Sequence, residues 1–215
     1  MLDRSSTQVL EQSVAAHRAN GGKLVEFFYD FGSPTSYLAF TQLPRIAQRT
    51  GAKIWYRPFL LGGLYKIVSN HSPAENPLKG KWMNEDLLRF AKRYGVEFVN
   101  NKHFPMVTLP IMRGAVFAEK RGELLNYSTA IYDAMWRQGR NLQDPAEIAA
   151  VLKEGGFDAK AYFAGTEDPE VKTKLKAVTE EAASRGVFGA PTMFVGNEMH
   201  FGQDRLDFVE AALSR

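Results

Sequence analysis

The stretch LVEFFYDFGSPTSY, residues 24–37, joins a run of large apolar residues to a turn that contains Ser33. A short apolar run of this kind is typical of a buried strand, and residues 35–49 continue with apolar side chains at helical spacing. Residues 53–59, KIWYRPF, alternate like a second strand. The segment 23–59 therefore predicts a βαβ unit with parallel strands, in which Ser33 lies between the first strand and the helix.

The rest of the chain predicts a helical insert followed by a return to the sheet. Between Leu60 and about Glu180 the apolar spacing indicates helices and no clear strand. The predicted helices cover roughly residues 80–94, 109–121, 123–138, 145–154, 158–164 and 169–185. Then PTMFV, a Gly196-Asn197 turn and EMHF predict two strands before a last helix from about Asp204 to Leu213. The fold class is α/β, with one sheet and an inserted helical subdomain over one of its ends.

Three parts of the chain follow from this order. Residues 23–60 and 186–215 form the sheet-containing domain, and residues 61–185 form the helical insertion. Residues 1–22 are an appendage with a weakly amphipathic helix through Val9, Leu10 and Val14, broken at Asn20-Gly21-Gly22. The sequence has neither a signal-peptide pattern nor the roughly 18 apolar residues needed to span a bilayer. We expect a soluble, cytoplasmic protein with no membrane partner.

Composition excludes several kinds of function. The 215 residues are 45% hydrophobic, and the 27 basic and 24 acidic residues are interleaved, so no basic block favours nucleic acid. The chain contains no cysteine, which excludes disulfides, Cys-ligated zinc and cysteine nucleophiles. His71, His103 and His200 lack metal-ligand spacing, so we predict no metal. Any thiol chemistry must use a thiol that comes from outside the protein.

Ser33 has a structural and a chemical interpretation. Ser followed by Pro34 is a common helix start, because the serine caps free N–H groups and proline needs no donor at the first helical position. A helix N-terminus also stabilises an anion, and a thiolate could be held there beside the hydroxyl. The two interpretations are compatible.

Ala190-Pro191 is the second candidate segment. A proline at a strand entry is ordinarily preceded by a trans bond. The more particular context FGAPTMFVG raises the alternative of a cis bond, which would turn the main chain of Ala190 toward a peptide-like ligand.

Four motifs together resemble one family. They are FYDFGSPTSYLAF (28–40), YRPFLLGGLYK (56–66), SNHSPAENPLKGKWMNEDL (69–87) and VFGAPTMFVGNEMHFGQDRL (187–206). In this order they resemble the 2-hydroxychromene-2-carboxylate isomerases and kappa-class glutathione S-transferases. That family is thioredoxin-like, with the helical insertion found in bacterial disulfide oxidases. The resemblance covers about residues 23–214.

The resemblance implies a glutathione site. Ser33 matches the family's catalytic serine, whose hydroxyl favours the thiolate of glutathione, and it stands where disulfide oxidases have the first cysteine of CxxC. Ala190 and Pro191 match the residues that pair with the cysteinyl main chain, and Asp204 and Arg205 match the pair that holds the γ-glutamyl end. The other glutathione-binding residues that it implies are Lys79, Gly189 and Gln203.

On the substrate side, the resemblance implies roles for Asn70, Asn76 and Phe104. Residue 69 is serine where the family has glycine, and His200 stands where the isomerases tend to have an aromatic residue. The aromatic residues of the insert could line an acceptor pocket or form its core; they are Tyr65, Trp82, Phe104 and Trp136.

Three functions stay open at this point. The first is a glutathione-dependent isomerase of aromatic compound catabolism, acting on a 2-hydroxychromene-2-carboxylate-like substrate. The second is a kappa-like glutathione transferase, which residues 59–66, FLLGGLYK, resemble more closely. The third, from another class, is a non-catalytic thioredoxin-like binding module. For the enzymes, the resemblance implies glutathione as cofactor and a homodimer.

Overall fold

One mixed sheet of four strands forms the centre of the protein. The computed structural model describes residue 14, residues 16–17 and residues 21–215; the rest of the predicted N-terminal helix lies outside the described residues. The strands are β1 (Leu24–Tyr29), β2 (Lys53–Pro58), β3 (Thr192–Val195) and β4 (Glu198–Phe201), in the spatial order β2-β1-β3-β4. β1 is parallel to β2 and antiparallel to β3, and β3 is antiparallel to β4. The predicted βαβ unit and the returning pair of strands are confirmed.

Helices lie between these strands and after them. They are α1 (Pro34–Thr50), α2 (Leu61–Val68), α3 (Pro77–Tyr94), α4 (Leu109–Lys120), α5 (Leu124–Tyr132), α6 (Pro145–Glu154), α7 (Ala159–Thr166), α8 (Pro169–Ser184) and α9 (Leu206–Leu213). A turn of π-helix, Asp133–Arg137, continues α5, and 3-10 turns occupy Pro73–Glu75 and Gln203–Arg205. Within the described chain, no helix combines the length and the apolar character that a bilayer crossing requires.

Two helix predictions need correction. The sequence did not predict α2, because the adjacent Gly62 and Gly63 give its short segment a low intrinsic helix propensity. The last α-helix begins at Leu206 instead of Asp204, because residues Gln203–Arg205 form a tighter 3-10 turn first.

Capping residues that are followed by proline fix where several helices begin. Asn76, Asp144 and Asp168 each accept a main-chain N–H in the first turn, and each is followed by proline. This combination satisfies donors at the helix start and removes one that would have no partner. The helix starts of the insert are therefore encoded locally.

Both faces of β1 are covered. Its odd-numbered residues belong to the larger core, which includes side chains of α1, α9 and the insert: Val25, Phe27 and Tyr29. Phe28, on the other face, belongs to a smaller cluster with Phe194 of β3, Leu64 of α2 and Val178 of α8. Burial on both faces explains why β1 is a nearly continuous apolar run.

Hydrogen bonds and ring contacts join the insert to the end of β1 and to the turn that follows it. Trp136 donates its indole N–H to the carbonyl oxygen of Phe31 at 2.7 Å, and the hydroxyl groups of Tyr29 and Ser128 lie 2.8 Å apart. The rings of Phe31 and Tyr132 pack edge to face with centroids 4.8 Å apart. The helical region thus fixes the main chain two residues before Ser33.

Candidate active site

Ser33 is the N-cap of α1. It has an extended backbone, Pro34 follows it, and its Oγ accepts the N–H of Ser36 at 3.0 Å. The residue is buried. The prediction of a capping serine is therefore confirmed.

The same hydroxyl contacts the other half of the sheet. Ser33 Oγ lies 3.0 Å from the carbonyl oxygen of Ala190, and the Ala190-Pro191 peptide bond is cis. Antiparallel pairing of Phe28 with Thr192 places the end of β1 beside the start of β3. The sheet register therefore brings the two candidate segments together, and of the two alternatives for the Ala190-Pro191 bond the structure has the cis one.

Thr35 belongs to the same cluster, although the sequence reasoning did not single it out. Its Oγ1 lies 2.8 Å from Ser33 Oγ and 3.1 Å from the Ala190 carbonyl oxygen. Its own N–H makes no hydrogen bond to the part of the chain that the structure describes. The available signal was a second hydroxyl in the first helical turn.

Asp30 is a buried carboxyl group that organises the turn. Its Oδ1 accepts the N–H of Gly32 at 2.8 Å, and its Oδ2 accepts the N–H of Leu61 at 2.8 Å and the hydroxyl of Thr108 at 3.1 Å. Burial raises the pKa of this carboxyl, while the three hydrogen bonds oppose that rise. The turn before Ser33 is thereby tied to α2 and to the insert. An acid directly after a buried strand was the signal that could have identified it.

The predicted Asp204-Arg205 pair comes shortly after Gly202, which contacts Pro191. Gly202 donates its N–H to the Pro191 carbonyl oxygen at 3.0 Å and has a φ of 98°, in the region that favours glycine. Arg205 Nη2 lies 3.6 Å from Asp204 Oδ2, and both side chains are exposed. Two opposite charges are therefore exposed two and three residues after the glycine that bonds to the cis proline.

Gln203 lies in the same turn but is buried. Its carbonyl oxygen accepts the hydroxyl of Tyr94 from the end of α3 at 2.7 Å, and burial raises the pKa of Tyr94 to about 12. The insert therefore contacts this turn as well as the turn after β1. Only the tertiary fold reveals the role of Tyr94.

Gly189 directly precedes the Ala190-Pro191 bond, and Asn70 contacts the main chain just before it. Asn70 donates its side-chain amide to the Phe188 carbonyl oxygen at 2.7 Å. A Cβ on Gly189 would lie 2.7 Å from the ring of Phe201, so a side chain at this position would have to displace that ring. Ser69, where the family has glycine, has a positive φ of 52°. Asn70 is thus close to the Ala190 segment.

The remaining predicted residues have local roles in the structure. Asn76 caps α3 by accepting the N–H groups of Leu78 and Lys79 at 3.0 and 3.3 Å, and both Asn76 and Lys79 are exposed. Phe104 is half-buried and packs on the buried Trp136, with centroids 5.7 Å apart. Within the described residues, no hydrogen bond joins any of these three predicted site residues to Ser33.

His200 lies on β4, with most of its side chain buried. Its Nε2 is 4.0 Å from Glu198 Oε2, and burial lowers its pKa. Among the described residues, no group of three or more His, Cys, Asp and Glu side chains could hold a metal ion.

Comparison with known proteins identifies the family. Residues 24–214 match the model of the DSBA-like thioredoxin domain. The chain is 34% identical over 193 residues to a 2-hydroxychromene-2-carboxylate isomerase of Sphingobium xenophagum, covering 89% of this chain and 98% of that protein. It is 29% identical to human glutathione S-transferase kappa 1, with 87% and 89% of the two chains covered. A solved 2-hydroxychromene-2-carboxylate isomerase superposes with a TM-score of 0.81 at 29% identity, covering 89% of this chain and 95% of that one.

These matches confirm the thioredoxin-like fold with its helical insertion. The chain therefore belongs to the DSBA-like thioredoxin family and is an enzyme of the group that contains the 2-hydroxychromene-2-carboxylate isomerases and the kappa-class glutathione S-transferases.

Proposed function

We propose that the protein is a glutathione-dependent isomerase acting on an aromatic substrate of the 2-hydroxychromene-2-carboxylate type. The observation that carries this proposal is the position of the Ser33 hydroxyl, at the first turn of α1 and 3.0 Å from the Ala190 carbonyl oxygen. The cysteine-free chain has no thiol of its own. Bound glutathione would supply a thiol whose anion adds to a conjugated carbon of the substrate and is later expelled.

The donors around Ser33 suit an anionic sulfur. The Ser33 hydroxyl can donate one hydrogen bond, and the N–H of Thr35, which bonds to none of the described residues, adds a main-chain donor at the positive end of the α1 dipole. In this proposal Ser33 acts as a hydrogen-bond donor to the sulfur and does not itself attack the substrate. These donors stabilise a thiolate more than a neutral thiol, and therefore lower the pKa of the thiol.

The charged residues suit the two ends of glutathione. Its γ-glutamyl end is zwitterionic, and the adjacent exposed Asp204 and Arg205 offer one charge of each sign. In our proposal Lys79 contacts a carboxylate, Gly189 and Gln203 shape the main chain around the cis proline, and Asn70, Asn76 and Phe104 border the aromatic substrate.

A kappa-like transferase is the second candidate. It would use the same glutathione site but release the thioether product instead of regenerating glutathione. The 29% identity to human glutathione S-transferase kappa 1 supports it, as does the resemblance of FLLGGLYK to that class.

We further propose a homodimer. Leu78 and Trp82, in the first turns of α3, are 81% and 61% exposed, and such apolar side chains can be covered by a second copy. Light scattering coupled to size exclusion tests this part independently of activity.

Two measurements test the proposed function. Calorimetry with glutathione should show saturable heat for the full chain, and the absence of heat at millimolar glutathione would contradict any glutathione-dependent activity. Turnover of hydroxychromene carboxylate should then require glutathione without consuming it. Consumption of glutathione with chlorodinitrobenzene, without isomerisation, would instead favour the transferase.

A further inference from the structure

Three oxygen atoms form a compact triangle at the start of α1. Ser33 Oγ and Thr35 Oγ1 are 2.8 Å apart, and they lie 3.0 and 3.1 Å from the carbonyl oxygen of Ala190. Ser33 Oγ also accepts the N–H of Ser36. Each pair of atoms in the triangle is within hydrogen-bond distance.

The triangle has fewer hydrogens than contacts. Each hydroxyl has one hydrogen to donate, and the Ala190 carbonyl oxygen can only accept. Two hydrogens therefore serve three contacts. Either Ser33 donates to Ala190, with Thr35 donating to Ser33 or to the same carbonyl oxygen, or Thr35 alone donates to Ala190 and the hydrogen of Ser33 is available to another acceptor.

The second arrangement matters for an anionic sulfur. If Ser33 donates to a ligand, the Ala190 carbonyl oxygen loses one donor, and an unfilled lone pair on a partly buried acceptor is unfavourable even when a ligand N–H bonds to the other lone pair. Thr35 Oγ1, already 3.1 Å away, can keep the carbonyl bonded. The Ser36 N–H still holds Ser33 Oγ in the cap, so the serine need only redirect its hydrogen.

We propose that Thr35 is a positioning residue of the thiol site, whose hydroxyl takes over the Ala190 carbonyl and so releases the Ser33 hydrogen to the sulfur. This inference rests on the proposed function. It assigns to Thr35 a control over thiol ionisation that acts through Ser33 and needs no contact with the sulfur. A methyl group in place of the hydroxyl removes this control and leaves the volume of the side chain nearly unchanged.

The test is a pH titration of glutathione bound to the full chain, followed by the ultraviolet absorbance of the thiolate. Thr35→Val should raise the pKa of the bound thiol by about one, which is roughly a tenfold loss of thiolate on the acid side of the transition. Thr35→Ser, which keeps the hydroxyl, should restore the wild-type value. Binding of S-methylglutathione, which has no ionisable thiol, should change by less than about twofold in either variant.

Thr41→Val is the matched control. Thr41 is a half-buried threonine of the same helix whose hydroxyl donates to the Leu38 carbonyl oxygen at 2.7 Å. Its loss should leave the thiol pKa unchanged. If Thr35→Val does not fold, Thr35→Ala gives the same comparison with Thr35→Ser.

The outcomes separate the two proposals. A wild-type thiol pKa in Thr35→Val, or a raised one in Thr35→Ser, overturns the role of Thr35 while glutathione binding still stands. A wild-type protein that does not bind glutathione overturns both proposals.

Discussion

Ser33 Oγ lies 3.0 Å from the carbonyl oxygen of Ala190, although 157 residues separate the two along the chain. The antiparallel register of β1 and β3 brings them together, and the cap formed with Ser36 holds the hydroxyl in place. A local signal at the start of a helix and a non-local strand pairing therefore build the same site.

Replacement of Ser33 by alanine should separate its chemical role from its capping role. We expect the pKa of bound glutathione to rise and turnover to fall by about 100-fold, because the hydroxyl donor to the developing thiolate is lost. The free energy of unfolding should also fall by about 1 kcal/mol, as for other caps. Thiolate absorbance, steady-state kinetics and urea unfolding measure the three effects.

Asp144→Ala is the control for the loss of a cap. Asp144 also precedes a proline and accepts the N–H of Ala146 at 2.8 Å, at the start of α6. It should lower stability by a similar amount and leave turnover unchanged. Equal turnover in Ser33→Ala and Asp144→Ala would reduce Ser33 to a cap.

Arg205→Ala should weaken glutathione binding about tenfold, equivalent to about 1.4 kcal/mol, with little change in stability. Arg205 is exposed and 3.6 Å from Asp204, so its ion pair contributes little to folding. Arg89→Ala is matched to it, since Arg89 is equally exposed and lies 3.4 Å from Asp86. Calorimetry should show weaker glutathione binding for Arg205→Ala than for Arg89→Ala. Equal glutathione affinities would show that Arg205 does not contribute to the site.

Gly114 and Gly62 should respond in opposite ways to alanine. A Cβ on Gly114 would lie 2.1 Å from the hydroxyl oxygen of the buried Tyr127, which donates to the Ile111 carbonyl oxygen. The free energy of unfolding of this variant should fall by about 1–3 kcal/mol through overpacking.

A Cβ on Gly62 meets no atom within 4 Å, so Gly62→Ala should raise the free energy of unfolding by about 0.5–1 kcal/mol through α2. Denaturant midpoints at unchanged slope check both values, and destabilisation by Gly62→Ala would be the contrary result.

His200 should make the folded protein less stable in mild acid. Burial lowers its pKa in the folded state, while Glu198 raises it and Arg215 lowers it further. Because the unfolded chain then binds a proton more readily, the stability present above the unfolded pKa of about 6.5 is lost as the pH falls through the folded value. The wild type should therefore lose more stability between about pH 7.5 and 5 than His200→Gln does.

His200→Phe provides the check on this result. It also removes the titrating group, so it should show the same flatter pH dependence as His200→Gln whatever its absolute stability. If both variants lost as much stability as the wild type, the acid sensitivity would belong to another group.

The strand and helix order was predictable because local signals encode it. These signals act within a few residues of the chain. They are the apolar run of β1, the Ser33-Pro34 start of α1, and the capping residues followed by proline in the insert. By contrast, Asp30, Thr35 and Tyr94 act through partners distant in the sequence. The local signals at Asp30 and Thr35 mark polar residues beside the turn but do not reveal these partners.

The aromatic residues of the insert show the same limit. Trp136 is buried and bonded to the Phe31 carbonyl oxygen, whereas Trp82 is 61% exposed. The two differ in tertiary surroundings and not in residue type. For the same reason, the roles of Asn76 and Phe104 at the substrate stay predictions.

The pairing of β1 with β3 also sets a time at which the site can first exist in the cell. A ribosome adds about 5–20 residues per second, so β3 follows Ser33 by on the order of ten seconds. During that interval the nascent chain carries one side of the proposed thiol site without the other. The proposed glutathione site is therefore incomplete until the last strands emerge, however early α1 folds.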